Sequence, residues 1–261
     1  MALKHTAIDA ASFTAIRLAA GAIVLALLTL VPRAGSGADN KAGASAGHGN
    51  WLSALALFAY AAAFSYAYLT LSAATGALLL FGAVQATMIG AGIANGERLR
   101  GMALAGFVLA IGGLAWLLAP GVAAPPMAGS ALMIVAGIAW GIYSLRGRRG
   151  GAPLFVTAGN FMRAAPIALV LCLAMVDSLT LDWGGAVFAI ASGALTSGVG
   201  YAIWYTALPS LKATHAATLQ LSVPVITAIG GIVFLGEMLT LRLVVSSVAV
   251  LGGIGMVVGK K

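Results

Sequence analysis

Apolar stretches of about 20 residues recur along this 261-residue chain, and no other feature constrains its fold as strongly. A helix rising about 1.5 Å per residue needs that many to cross a hydrocarbon core of roughly 30 Å. Nine such stretches lie near residues 12–31, 51–70, 74–95, 101–119, 127–145, 154–176, 183–206, 213–235 and 240–258. Composition agrees, with 61% hydrophobic and only 8% charged residues, where soluble domains carry about 25%. Spans this long, rich in Gly, Ala and Leu, are helices and not the short alternating strands of an outer-membrane barrel. The expected fold is an all-α, polytopic membrane helical bundle.

A net charge of +8 would point a soluble chain toward nucleic acid, but here the placement of the charges carries the information. Alternate loops hold Arg33 and Lys41; Arg98 and Arg100; Arg146, Arg148 and Arg149; Lys212; and Lys260 with Lys261. The opposite side receives Lys4 and Arg242 beside Asp177 and Asp182. Basic residues mark cytoplasmic loops, so the expectation is a multi-pass inner (plasma) membrane protein with its C-terminus in the cytoplasm and no nucleic-acid partner. Nine spans would then export the N-terminal "MALKHTAIDAASF", which carries no apolar signal segment. The 32–50 segment, rich in Gly, Ala and Ser, is expected to be a flexible loop.

The chain also repeats. "GERLRGMALAGFVLAIGGL" from Gly96 and "GEMLTLRLVVSSVAVLGGI" from Gly236 share Gly-Glu, a leucine and a Gly-Gly pair at one offset of 140. Upstream, "FTAIRLAAGAIVLALL" and "NFMRAAPIALVLCL" align Arg17 with Arg163 at an offset of 146. A duplicated unit of about five helices follows, and an odd number per unit inverts the second copy in the membrane, as in many secondary transporters. The repeats run over 1–119 and 127–258 and together form one transmembrane domain. The counterpart of "MAGSALMIVAGIAWGIYSL" would precede Met1, so the first repeat lacks its first helix. A late start is the favoured reading over a lost helix.

"LSVPVITAIGGIVFLGEMLT", followed by a Gly-Gly in the next span, resembles the ninth and tenth helices of the EamA-type drug/metabolite transporter family. "GIAWGIYSLRGRR" resembles the family's sixth helix, with its Trp-Gly pair and basic end. The resemblance covers essentially the whole chain. It implies ten helices in two inverted repeats, a central cavity, and movement of amino acids or other small metabolites, often outward. The chain departs from the pattern in its absent first helix and in Val84 where the first repeat would match Pro224.

Among individual residues, Glu97 and Glu237 sit at span ends. Each is expected to act structurally, paired with a nearby arginine (Arg98 and Arg100, or Arg242) or capping the helix that follows, with proton coupling as the other reading. Arg163 lies about 14 Å into its span, with Asn160 three residues earlier on the same face. Pro166 strips the carbonyl of Met162 of its helical partner, and the trio could receive a substrate carboxylate; the other reading has Arg163 snorkel or bond backbone carbonyls. Arg17, nearer its span end, is expected to snorkel. Gln85 and Gln220 are mid-span amides that must find partners inside the bundle. Trp140, Tyr143 and Tyr201 are candidate cavity-lining aromatics, and Trp51, Trp116 and Trp183 candidate interface anchors. His215 and Cys172 read as structural, and Gly137 with Gly141 and Gly92 with Gly96 as close-packing rows.

Other classes fit less well. The sequence shows no paired-carboxylate motif, no His cluster of metal spacing and no GxxxxGK nucleotide loop, so no enzyme, cofactor or metal is expected. A channel would show a charged ring or filter loop. The function expected is a secondary transporter exporting small metabolites such as amino acids by alternating access, with a small-molecule substrate and lipid as partners, as monomer or homodimer. A non-transporting structural or assembly protein, or a truncated product, is the alternative.

Overall fold

The computed structural model describes residues 3, 6–31, 49–96, 99–121, 124–147, 152–207 and 213–259. Among them the chain is helical throughout, without strands. The elements are α1 (Ala10–Leu30), α2 (Trp51–Ala67), α3 (Ala73–Ala94), α4 (Met102–Leu118), α5 (Met127–Gly147), α6 (Pro153–Ala174), α7 (183–207), α8 (Ala213–Leu235) and α9 (Leu241–Val258). They fall on the nine expected spans. Six helices are long and apolar enough to cross a membrane, and α2, α4 and the apolar part of α8 are shorter.

Local chemistry sets many of the boundaries. The Asp9 side chain accepts from the Ser12 amide and starts α1, and Thr240 accepts from Leu243 and starts α9, each satisfying an amide that a helix start leaves unpaired. Pro153 opens α6, where its missing N–H costs nothing. At the end of α8, Gly236 adopts φ +63 and its amide donates to the Ile232 carbonyl at 3.2 Å, closing the helix with a left-handed cap. Gly96 ends α3 in the same way, with φ +93. No described atom lies within 4 Å of where its side chain would stand. Gly96 thus serves a chain reversal, where its positive φ favours glycine.

Helix α7 is not uniform. An α-helix over Trp183–Ala191 passes into a π-helix over Ser192–Val199 and returns to α over Gly200–Ala207. The Gly200 amide donates to the carbonyl of Leu195, five residues back. Such widened turns are rare and occur frequently at functional sites.

The helices gather into two compact units. One comprises 67–141 and 211–261, the other 2–66 and 142–210. Neither is a continuous half of the chain: the first holds α3 and α4 with α8 and α9, the second α1 and α2 with α6 and α7. Each unit thus combines helices from the N-terminal and C-terminal halves.

Within the first unit, α4 and α9 meet along a seam of small residues. A side chain at Gly106 would strike the carbonyl oxygen of Gly253, and one at Gly253 the carbonyl oxygen of Gly106. One at Gly113 would strike Ala249, Val250 and the carbonyl of Ser246. At the offset of 140, Gly106 is equivalent to Ser246 and Gly113 to Gly253, so the two contacts are exchanged copies of each other. That reciprocity is the mark of a two-fold related pair, and only small residues allow backbones to approach so closely. It also gives one glycine of each repeated Gly-Gly a role: Gly113 and Gly253 lie in the seam, while no described atom lies within 4 Å of where a side chain at Gly112 or Gly252 would stand. Elsewhere in this unit Gly137 meets Ala83 and the Leu80 carbonyl, and Gly141 meets Thr87, so this expected row does pack, against α3.

Leu18, Leu25, Leu79, Val84, Phe161 and Val250 are among the core residues. Large apolar side chains such as Val108, Leu173 and Phe234, the last 81% exposed, point outward, which suits a surface solvated by lipid tails and not by water.

Candidate functional site

The polar groups of the second unit form two neighbourhoods. In the first, Asn50 starts α2: its side-chain oxygen accepts from the Ser53 amide at 2.9 Å. Arg146, in the last turn of α5, donates through Nη2 to that same oxygen at 3.0 Å and through Nε to the Ser53 hydroxyl at 3.0 Å. The Asn50 amide donates to Oδ1 of Asn160 at 2.9 Å, and Nδ2 of Asn160 points to the Tyr143 hydroxyl at 3.5 Å. Asn160 is only 2% exposed. Gly49, at φ +73, allows this approach, because a side chain there would overlap Asn160.

Arg163 lies apart from that network. Its Nη1 donates to the carbonyl of Gly159, one turn back on its own helix, at 2.9 Å. Its guanidinium carbon stands 5.9 Å from the ring centroid of Trp51, a tryptophan that is 60% exposed. Three helical residues span about 300°, so side chains at i and i+3 diverge by about 60°. At the edge of an interface that angle suffices to bury Asn160 and leave Arg163 half-exposed.

The second neighbourhood surrounds Arg17, which the sequence suggested would snorkel. Instead it is 7% exposed. Its Nε donates to the Ser197 hydroxyl at 3.2 Å and its Nη2 to the Tyr60 hydroxyl at 3.3 Å. Its guanidinium carbon lies 5.7 Å from the Tyr60 ring centroid and 5.1 Å from that of Phe64, inside the range where a cation is attracted to an aromatic face. One turn earlier, the Thr14 hydroxyl lies 2.7 Å from the Ala10 carbonyl and 2.8 Å from the Ser65 hydroxyl, with one proton to give to either. Ser197 belongs to the π-helical part of α7. A side chain at Gly193, in the same stretch, would overlap the Arg17 carbonyl, so the widened turn and α1 touch at this arginine.

Of the remaining candidates, Tyr143 is buried, and Tyr201 is half-buried with its ring edge-on to Phe161 at 5.6 Å. Gln85 is buried in α3, while Gln220 and Trp140 are half-buried, all three in the first unit. The second unit thus brings together Asn160 and Tyr143, and places Arg163 and Tyr201 elsewhere. Trp116 and Trp183 are exposed and Cys172 is buried. The side chain of His215 and all of Glu97 fall outside the described residues.

Glu237 shows its structural role in full, though not with the expected partner. Both its carboxylate oxygens accept from the amide of Ala73, at 2.7 and 2.9 Å, and one also from Ala74 at 3.4 Å. Ser72 accepts from the Thr75 amide at 3.2 Å. The first three amides of α3 are therefore satisfied, two by a carboxylate placed where the helix dipole favours an anion. The next helix does not take Glu237 because Thr240 already caps it. Arg242 is engaged too: it donates to the carbonyls of Trp116 and Ala119 at the end of α4 and lies over the Trp116 ring. Gly231 keeps the path clear, since a side chain there would meet the Glu237 carboxylate.

Sequence reading passed over Ser197 and Tyr60. The signal available was the Ser/Thr/Gly run "SGALTSGVGY" at 192–201, unusual for a lipid-facing helix. Nothing local points to the pairing of Glu237 with Ala73, which joins residues 164 apart.

Comparison with known proteins agrees with this architecture. The EamA-like transporter family matches residues 127–259. An uncharacterized protein of Pseudomonas aeruginosa is 54% identical over 260 residues, covering 100% of this chain and 88% of its own. The threonine/homoserine exporters RhtA of Escherichia coli and Salmonella typhimurium are 33% and 32% identical over 138 residues. Those alignments span 51% of this chain and 46% of the exporters' length. A solved structure, titled only as the crystal structure of a protein, superposes with a TM-score of 0.67 over 96% of this chain and 88% of the other. At 19% identity it supports the fold alone. With nine apolar helices among the described residues and the family match covering its second half, the chain belongs to the EamA-like transporter family of multi-pass membrane proteins.

Proposed function

We propose that the protein is a secondary transporter of the inner membrane, exporting small metabolites, amino acids foremost, by alternating access. The observation that carries this reading is the α4–α9 seam, in which Gly106 meets Gly253 and Gly113 meets Ser246. Two copies of one helix, packed with exchangeable contacts, are what an inverted repeat produces, and inverted repeats let a transporter adopt two related conformations open to opposite sides. The basic residues of alternate loops, among them Arg98, Arg100, Arg146, Arg148 and Arg149, favour a cytoplasmic C-terminus. The relatives named as threonine/homoserine exporters make those two amino acids the first substrates to test. Gln85, Gln220 and Trp140 in the first unit, and Arg163, Asn160, Tyr143 and Tyr201 in the second, are the candidate substrate contacts of this reading. Asn160 and Tyr143 enter it as residues that hold their surroundings in place.

The test is counterflow of radiolabelled threonine and homoserine in proteoliposomes. Saturable accumulation that excess unlabelled substrate abolishes supports the reading. Absence of flux from protein shown to be folded and inserted would count against it.

A further inference from the structure

We infer that the first turn of α2, flanked by Arg146 and Arg163, holds the phosphate of an anionic phospholipid. The inference goes beyond the transporter reading and needs no transport to test it. Only the leaflet, the cytoplasmic one, rests on the orientation proposed above.

Helix α2 is short, with 17 residues against 22 in α6. Asn160, the eighth residue of α6, accepts from the amide of Asn50 just ahead of α2. The seven residues of α6 before it amount to about 10 Å, so the start of α2 is recessed by about two turns beside α6.

Two arginines reach this recessed start from different helices. Arg146, from the last turn of α5, donates to the Asn50 side-chain oxygen and to the Ser53 hydroxyl, each at 3.0 Å. Both acceptors are neutral, so they orient its charge without cancelling it, and they use two of the five N–H groups of a guanidinium. Arg163, from α6, holds its guanidinium carbon 5.9 Å from the ring centroid of Trp51. Asn50 and Trp51 are consecutive, so the two guanidiniums stand at one turn of backbone. In the sequence, Arg148 and Arg149 follow Arg146 closely.

Charge in this unit is divided along the helices. Its described carboxylates, Asp9, Asp177 and Asp182, lie at the opposite end: Asp9 starts α1 and accepts from the Thr180 amide at 2.9 Å, and the other two belong to the stretch between α6 and α7. An anion is thus drawn to the arginine end. A guanidinium matches phosphate oxygens with parallel N–H bonds, and basic pockets between membrane helices on the cytoplasmic side bind anionic headgroups.

The apolar surroundings select a lipid over a soluble phosphate. Trp51 is exposed, as are Leu55 one turn further along α2 and Met162 next to Arg163. These offer an indole at the depth where interfacial aromatics sit and a surface for acyl chains beyond it, from which a free anion gains nothing.

The experiment is native mass spectrometry of the full chain in detergent, titrated with dioleoyl phosphatidylglycerol. Dioleoyl phosphatidylcholine, with the same chains and phosphate but no net charge, and inorganic phosphate, without chains, are the comparison ligands. Phosphatidylglycerol should bind saturably, and each of the others at least about fivefold more weakly. Arg146→Gln and Arg163→Gln should each weaken it about fivefold, the equivalent of about 1 kcal/mol per basic residue. Lys261→Gln, which removes the same charge at the C-terminus, should leave the affinity within about twofold. Equal binding of the two lipids, wild-type affinity in both arginine variants, or an equal loss in Lys261→Gln would each overturn the site. Inorganic phosphate that displaces the lipid at comparable concentration would overturn the lipid as its occupant. All of these outcomes leave the transporter reading standing, and lipid binding without transport counts against that reading alone. Should Arg146→Gln fail to fold, Arg163→Gln, at a half-exposed position, decides the matter.

Discussion

Two pairs of repeat-related positions have met opposite fates. Along the α4–α9 seam, Gly106 and Gly113 remain interchangeable with their mates, each meeting the other's partner. In the second unit, Arg17 and Arg163 also occupy equivalent places, yet one is buried between Ser197, Tyr60 and Phe64 and the other lies half-exposed over Trp51. The difference is one of backbone against side chain. A seam where carbonyls and Cα atoms nearly touch admits only small residues, so both copies keep it small, with glycine at Gly113 and Gly253 and glycine against serine at Gly106 and Ser246. A long side chain can be redirected by whatever its neighbours offer: a π-turn serine for Arg17, a carbonyl of its own helix for Arg163.

The largest expected effect breaks the seam. Gly253→Leu would drive a side chain into the Gly106 carbonyl and the Ala110 backbone, neither of which can move aside, and should cost about 3 kcal/mol or more, with loss of monodisperse protein in size-exclusion chromatography. Gly113→Leu, at the position equivalent to Gly253, should be equally damaging if the two helices are two-fold related, since its side chain would meet Ala249, Val250 and the Ser246 carbonyl. Gly252→Leu, one residue away and facing open space, should leave the elution profile unchanged, and damage comparable to Gly253→Leu would refute the seam.

The arginines come next. Arg17→Met withdraws the donor from two hydroxyls in a buried site, at about 1–3 kcal/mol, whereas Arg163→Met removes a half-exposed group and should stay below about 1 kcal/mol. Thermal melts in detergent would read the two side by side. Equal shifts would show that the repeat mates are equivalent after all.

Glu237→Ala removes the acceptor of the Ala73 and Ala74 amides and should cost about 1 kcal/mol. Glu237→Gln, which keeps an oxygen but no charge, should cost less, about 0.5 kcal/mol. A stable Glu237→Gln that loses pH-dependent transport would return this carboxylate to a coupling role.

The smallest effect concerns the two helix starts. Asp9 begins α1, whereas α6 opens after Ala152 with no side-chain cap. Burial pushes the Asp9 carboxyl upward, but hydrogen bonds from Ser12 and from the amides of Ser12, Thr180 and Ala11 together outweigh it and hold the group below its ordinary value. Because its folded pKa is the lower one, Asp9 stabilises the protein above the ordinary carboxylate range, and that contribution fades as pH falls through the folded value. Melts recorded from about pH 6 to pH 3 should drop, and Asp9→Asn should flatten part of that drop; an unchanged slope would remove Asp9 from the account.

Much of this was legible in advance, for reasons that differ from residue to residue. The nine spans follow from composition over windows of about 20 residues, which averages out local detail. Gly236 and Glu237 were legible as a boundary because a left-handed cap and a carboxylate both belong at a helix end. Asn160 and Arg163 were less so: spacing placed them on one stripe, but the 60° between them crossed the edge of an interface. Their separate roles depend on where Asn50 and Trp51 stand.

By itself, then, the sequence determined that the chain spans the membrane repeatedly as helices, and which glycines recur at one offset. Those are properties of length, hydropathy and period, and neighbours distant in the chain hardly alter them. Only the tertiary structure decided that Glu237 caps α3 across 164 residues, that Gly113 and not Gly112 enters the seam, and that Arg17 is the buried arginine. Each depends on which helices meet and at what rotation, and side chains turn toward partners that no local pattern names.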